Sequence, residues 1–112
     1  MHELAITQSL LDISLAEAAK AGAGRVTVIR LKIGALTGIV PDSVAFYLEM
    51  LAKGTPAEGA KLVADVMPVT SRCAACDLTF PVEDLVFLCP RCAGPSQLVT
   101  GRELSVESLE VD

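Results

Sequence analysis

The sequence predicts an α+β protein: a small body of two helices and a three-strand mixed sheet, with an inserted four-cysteine ribbon subdomain. Three observations lead there. Two segments repeat apolar residues at helical spacing, and three alternate at strand spacing. Between the second and third strand, four cysteines fall as Cys73-Ala-Ala-Cys76 and Cys89-Pro-Arg-Cys92, with no other cysteine in the chain.

The first helix is expected from Glu3 to Ala21, with Leu4, Leu11, Leu15 and Ala18 on one face and Ile6, Leu10 and Ile13 widening the stripe. Lys20 complements the dipole at its end, and Gly22 and Gly24 stop it. Arg25 to Ile33 reads as a strand, with Ile29, Leu31 and Ile33 facing the core and Val28, Arg30 and Lys32 reaching solvent. A turn-rich segment, Gly34 to Gly38, leads to a second helix opened by Pro41, whose missing N–H costs nothing there. Val44, Tyr47, Leu48 and Leu51 repeat along it, and Lys53-Gly54 ends it.

After a loop over Thr55–Gly59, Lys61 to Val69 is a strand with Leu62, Ala64 and Val66 on one face. A closing strand from Glu103 to Val111 changes phase midway: Leu104 and Val106 alternate in one register, Leu109 and Val111 in the other. A β-bulge near Glu107-Ser108 reconciles them, as would burial on both faces. The strands flanking the cysteines are expected to pair antiparallel, which makes residues 71–96 an insertion at a hairpin tip. Residues 1–70 plus 97–112 then form the body.

Two facing CxxC turns twelve residues apart present four thiolates as a tetrahedron, the geometry zinc takes with sulfur. A redox disulfide uses a single CxxC at a helix start. A rubredoxin-like iron site accepts the same ligands, but such proteins are little more than the site. A disulfide framework requires an oxidising compartment, and the chain shows no export signal. The reading is a structural zinc ribbon held by Cys73, Cys76, Cys89 and Cys92, closed to water and so not catalytic. Both turns lack the glycine that commonly follows the second cysteine: Asp77 and Ala93 stand there, and Gly94 is expected to take the strained position of the second turn.

Composition excludes other classes. With no Trp, one Tyr and three Phe, the core must be aliphatic. No apolar run approaches the roughly 20 residues that span a bilayer, and reduced cysteines point to the cytoplasm. The net charge is −5, or about −7 with four thiolates around one divalent cation, which argues against nucleic acid. His2 is the only histidine, and no nucleophile–base set or phosphate loop accompanies it, so an enzyme is not expected. A terminal amine, an imidazole and helix-start amides do offer clustered nitrogen donors, which suit square-planar Ni²⁺ or Cu²⁺.

The opening Met1-His2-Glu3, Gln8-Ser9 in the first helix, LKIGALTGIVPDSVAFYLEMLAKGT, the C-x2-C-x12-C-x2-C ribbon and the closing ELSVESLEV resemble, together and in order, the HypA/HybF hydrogenase nickel-incorporation family. The resemblance covers essentially the whole chain. It implies nickel at His2, with the Met1 amine and the His2 and Glu3 amides, and structural zinc at the four cysteines. It further implies a metallochaperone that works with a companion nickel-handling GTPase and docks on the [NiFe]-hydrogenase large subunit, in some organisms serving urease. A zinc-stapled adaptor for protein–protein contact without nickel transfer is the alternative.

Overall fold

The computed structural model describes residues 2–112. Helix α1 (Glu3–Lys20), strand β1 (Val26–Gly34), helix α2 (Pro41–Leu51), strand β2 (Lys61–Met67) and strand β6 (Leu104–Val111) build the body. Strands β3 (Thr70–Cys73), β4 (Leu78–Pro81) and β5 (Gln97–Thr100) make a second sheet around the cysteines. The α+β class, two helices over a mixed three-strand sheet with a four-cysteine insertion, is as the sequence predicts.

Strand β1 is the centre of the body. Val26, Ile29, Leu31 and Ile33 are essentially inaccessible to solvent, and each such side chain stabilises the fold by about 1.5–3 kcal/mol. They pack against Leu10, Leu11 and Ala18 of α1 and Val44 and Leu48 of α2. Gly22, at φ 70°, ends α1, and the Ala23 N–H donates back to the Ala18 carbonyl, capping the last turn.

The sheet order is β2-β1-β6, with β2 parallel and β6 antiparallel to β1. The expected hairpin between the strands flanking the cysteines is therefore corrected: β1 lies between them. The reason is the β1–α2–β2 connection. A strand, a helix and a strand return the chain to the same end of the sheet and place β2 parallel beside β1. Strand β6 then pairs along β1's other side, with Val106 and Leu109 against the core. The phase change in β6 is a bulge, because Arg30 pairs with Ser108 and Leu31 with Val106, leaving Glu107 unpaired.

The buried stripe of α1 also differs from the expected one. Thr7, Leu10, Leu11, Ser14 and Ala18 are buried, whereas Leu4 and Ile13 are about half exposed. Two polar residues fit the interior because they satisfy themselves. Thr7 Oγ1 donates to the Glu3 carbonyl at 2.6 Å and Ser14 Oγ to the Leu10 carbonyl at 2.8 Å.

The second sheet has order β4-β3-β5 and holds Gln97–Thr100 against β3, so the strands around the cysteines extend from Thr70 to Thr100. It joins the body through a close backbone contact. The Leu36 N–H donates to the Gly101 carbonyl at 2.8 Å and the Gly34 N–H to the Glu103 carbonyl at 2.6 Å. A Cβ on Gly34 would lie 2.1 Å from the Gly101 oxygen, so only glycine fits.

Candidate metal centre

Cys73 ends β3 and Cys76 lies in the turn to β4, while Cys89 and Cys92 sit in the turn before β5. Their four sulfurs lie within 4.8 Å of one another, with Cys73 Sγ 3.7 Å from Cys92 Sγ. Zn–S bonds of about 2.3 Å in a tetrahedron require S···S separations near 3.8 Å. None of the four is in a disulfide. The donor set and its spacing fit a closed tetrathiolate metal site, gathered as the sequence spacing expects.

The local backbone favours thiolate. The Gly94 N–H donates to Cys92 Sγ at 3.4 Å. Backbone N–H groups of Cys92, and then of Arg91, lower the Cys89 thiol to about 7 by stabilising its thiolate. Cys76 is pushed up to about 12, mainly because it shares its proton with Cys92 Sγ. A metal-free tetrad therefore holds protons between its sulfurs, and a cation entering it displaces them.

Burial is uneven. Cys73 and Cys89 are nearly inaccessible and pack with Phe80, while Cys92 is exposed. The residue after each second cysteine is left-handed: Asp77 at φ 54° and Ala93 at φ 58°. The expectation that Gly94 would take that conformation is corrected. The turn closes by the Ala93 N–H donating to the Cys89 carbonyl and the Cys89 N–H to the Gly94 carbonyl, which fixes the left-handed residue at Ala93. Ser71 and Ser96 were not singled out in the sequence, yet their hydroxyls bond at 2.6 Å and Ser96 donates to the Phe87 carbonyl. Alternation with Cys73 along β3 is the signal that puts Ser71 on the buried side.

His2 lies apart from the cysteine cluster. It is exposed at the start of α1, makes no side-chain capping bond, and its carbonyl accepts the first helical bond from the Ile6 N–H at 3.0 Å. The amides before Ile6 thus have no partner within the helix. Met1 lies outside the described residues, and so does its expected amine donor. Glu3 supplies a contact the sequence did not reveal: its carboxylate accepts from the Val40 N–H at 2.9 Å, immediately before α2. A carboxylate there also suits the positive end of the α2 dipole. The starts of the two helices are therefore tied together one residue from His2.

A sequence profile described as "Hydrogenase/urease nickel incorporation, metallochaperone, hypA" matches residues 1–111. The chain is 40% identical over 112 residues to the hydrogenase maturation factor HypA of Picosynechococcus sp., covering 99% of each. It is 40% identical over 114 residues to the protein of that name from Caldanaerobacter subterraneus subsp. tengcongensis, covering both completely. The solution structure of the Ni metallochaperone HypA from Helicobacter pylori superimposes with a TM-score of 0.70 at 22% identity, covering 99% of this chain and 97% of that one. A second HypA solution structure gives 0.76, also at 22% identity, over 100% and 97%. At that identity the two structures speak for the fold.

Proposed function

This chain belongs to the HypA family of hydrogenase/urease nickel-incorporation metallochaperones, and we propose that it binds Ni²⁺ at its amino terminus and delivers it to the [NiFe]-hydrogenase large subunit. The observation that carries the reading is the helix start. Placing the first helical bond at Ile6 leaves the His2 and Glu3 amides outside the helix ladder, beside an exposed imidazole. Together with the Met1 amine, these nitrogens make a square-planar donor set of the kind Ni²⁺ prefers. The Glu3–Val40 bond supports the site by fixing where α1 begins, and the Glu3 carboxylate remains occupied there.

Transfer would be ligand exchange at an accessible chain end, with no bond made or broken on a substrate. The four cysteines would hold Zn²⁺ as a structural ion, since four protein sulfurs leave no position for water. We place the protein in the cytoplasm, where its thiols stay reduced. Among the described residues no helix is long and apolar enough to cross a membrane. The partners implied are a companion nickel-handling GTPase and the hydrogenase large subunit, with urease maturation proteins as further clients.

The test is Ni²⁺ titration of untagged, zinc-loaded protein beside His2→Ala, with zinc quantified in both. Nickel binding by the parent and its loss in the variant at equal zinc is the expected result. Equal binding by both would move nickel to the cysteines. No binding by either would leave a zinc-stapled adaptor.

A further inference from the structure

The body's sheet has two edges, and only one is protected against pairing. Strand β6 carries the Glu107 bulge, and its charged residues, Glu107 and Glu110, are both acidic, so two copies of it would oppose like charges. Strand β2 has no bulge and no row of like charge, since its two charged residues, Lys61 and Asp65, are of opposite sign. Its seven residues run in unbroken register along β1, without proline or bulge, and Val63 and Ala64 occupy its middle. No other strand covers its outer side.

We propose that β2 pairs antiparallel with β2 of a second copy of this chain, centred on Val63, to give a continuous six-strand sheet. The register follows from charge. About a two-fold axis at Val63, Lys61 of each chain stands directly opposite Asp65 of the other. Both lie on the sheet face away from the helices, because their β1 neighbours are Val28 and Lys32, which alternate with the core residues. Among the described residues neither Lys61 nor Asp65 takes part in an ion pair. The two-fold forms the Lys61–Asp65 pair twice.

Shape agrees on the opposite face. Val66 is 50% exposed although it lies in the same phase as the half-buried Leu62 and Ala64. The same axis sets it opposite Ala60 of the second copy. There the structure has a groove of ≈ 360 Å³ between α2 and β2, lined largely by small residues including Ala45, Ala52, Ala57 and Ala60. The exposed valine and the alanine-lined groove are thus a knob and its hole, repeated by symmetry. Backbone, charge and shape are each self-complementary in one register. A seven-residue strand pair is a small interface, so association belongs in the micromolar range, about 1–100 µM.

Sedimentation equilibrium of reduced, zinc-loaded, nickel-free protein over roughly 5–500 µM tests this. The parent is expected to dimerise. Lys61→Asp, whose β1 neighbour is the uncharged Val28, sets like charges opposite each other and should weaken the dimer about tenfold or more. Adding Asp65→Lys to Lys61→Asp restores opposite charges and should restore association, with circular dichroism confirming the fold of each variant. A parent that stays monomeric throughout overturns the proposal. So does a Lys61→Asp variant that dimerises as the parent does, or a folded double variant that stays monomeric.

Discussion

Ala93 holds a Cβ where the turn needs a left-handed backbone, at φ 58°. That conformation costs an L-residue about 1–2 kcal/mol, and glycine adopts it freely. Asp77 faces the same demand at φ 54°, but aspartate tolerates it better, and its carboxylate pairs with Arg72. Ala93→Gly should therefore stabilise the zinc-loaded ribbon by about 0.5–1 kcal/mol, after allowing for the greater freedom glycine gains when unfolded. Denaturant midpoints of zinc-loaded parent and variant would show it, and a lower midpoint for the variant would refute the strain. The strain itself was readable from the missing glycine after Cys92. Its location was not, because choosing between Ala93 and Gly94 requires the two bonds that close the turn. Side-chain satisfaction was equally hidden: nothing in a periodic pattern says that Thr7 and Ser14 will be buried in place of Leu4 and Ile13.

At the scale of elements, what could be read depended on whether the signal was local. Strand β1 announces itself, since Ile29, Leu31 and Ile33 alternate with residues that reach the other face. The β6 bulge was legible in the same way, from its phase change. The four cysteines were legible as a cluster because their spacing is itself the geometry. Pairing was not local, and an insertion flanked by two strands suggests a hairpin. The strand–helix–strand order before it contained the answer, since that order makes β2 parallel to β1 and leaves β6 for β1's other side. The Gly34–Gly101 contact was invisible, because the two residues meet only after both sheets form. It gives a sharp expectation. Gly34→Ala puts a carbon 2.1 Å from the Gly101 oxygen, so the backbone joining β1 to the cysteine-bearing sheet must move apart. The two bonds from Gly34 and Leu36 into residues 101–103 would be strained, with a loss of about 2–4 kcal/mol. Chemical denaturation would report that loss, and a variant within about 0.5 kcal/mol of the parent would show the contact to be soft.

The molecule as a whole has two interiors of unequal strength. The body buries a dozen aliphatic and small residues, nine of them from the two helices and β1, whereas the cysteine-bearing sheet buries only Phe80 among its hydrocarbons, beside Cys73 and Cys89. An interior of that size cannot offset the ordering of some thirty residues, so the Zn²⁺ proposed for the four cysteines would supply what packing does not. Removing zinc by chelation from reduced protein should therefore unfold residues 70–100 while the body persists. Hydrogen exchange would show amide protection lost across β3, β4 and β5 and retained in β1. Acid should act in the same direction. A cation binds this tetrad by displacing thiol protons, so its affinity rises with pH and falls as protons return to the sulfurs. Cys89, held near 7 by backbone N–H groups, is the last of the shifted thiols to be reprotonated, and Cys76, near 12, competes for its proton most strongly. If chelation instead unfolded the chain in a single step, the junction at Gly34 and Gly101 would be coupling the two interiors. Zinc would then support the body that presents His2, and nickel affinity at the amino terminus would fall with zinc occupancy.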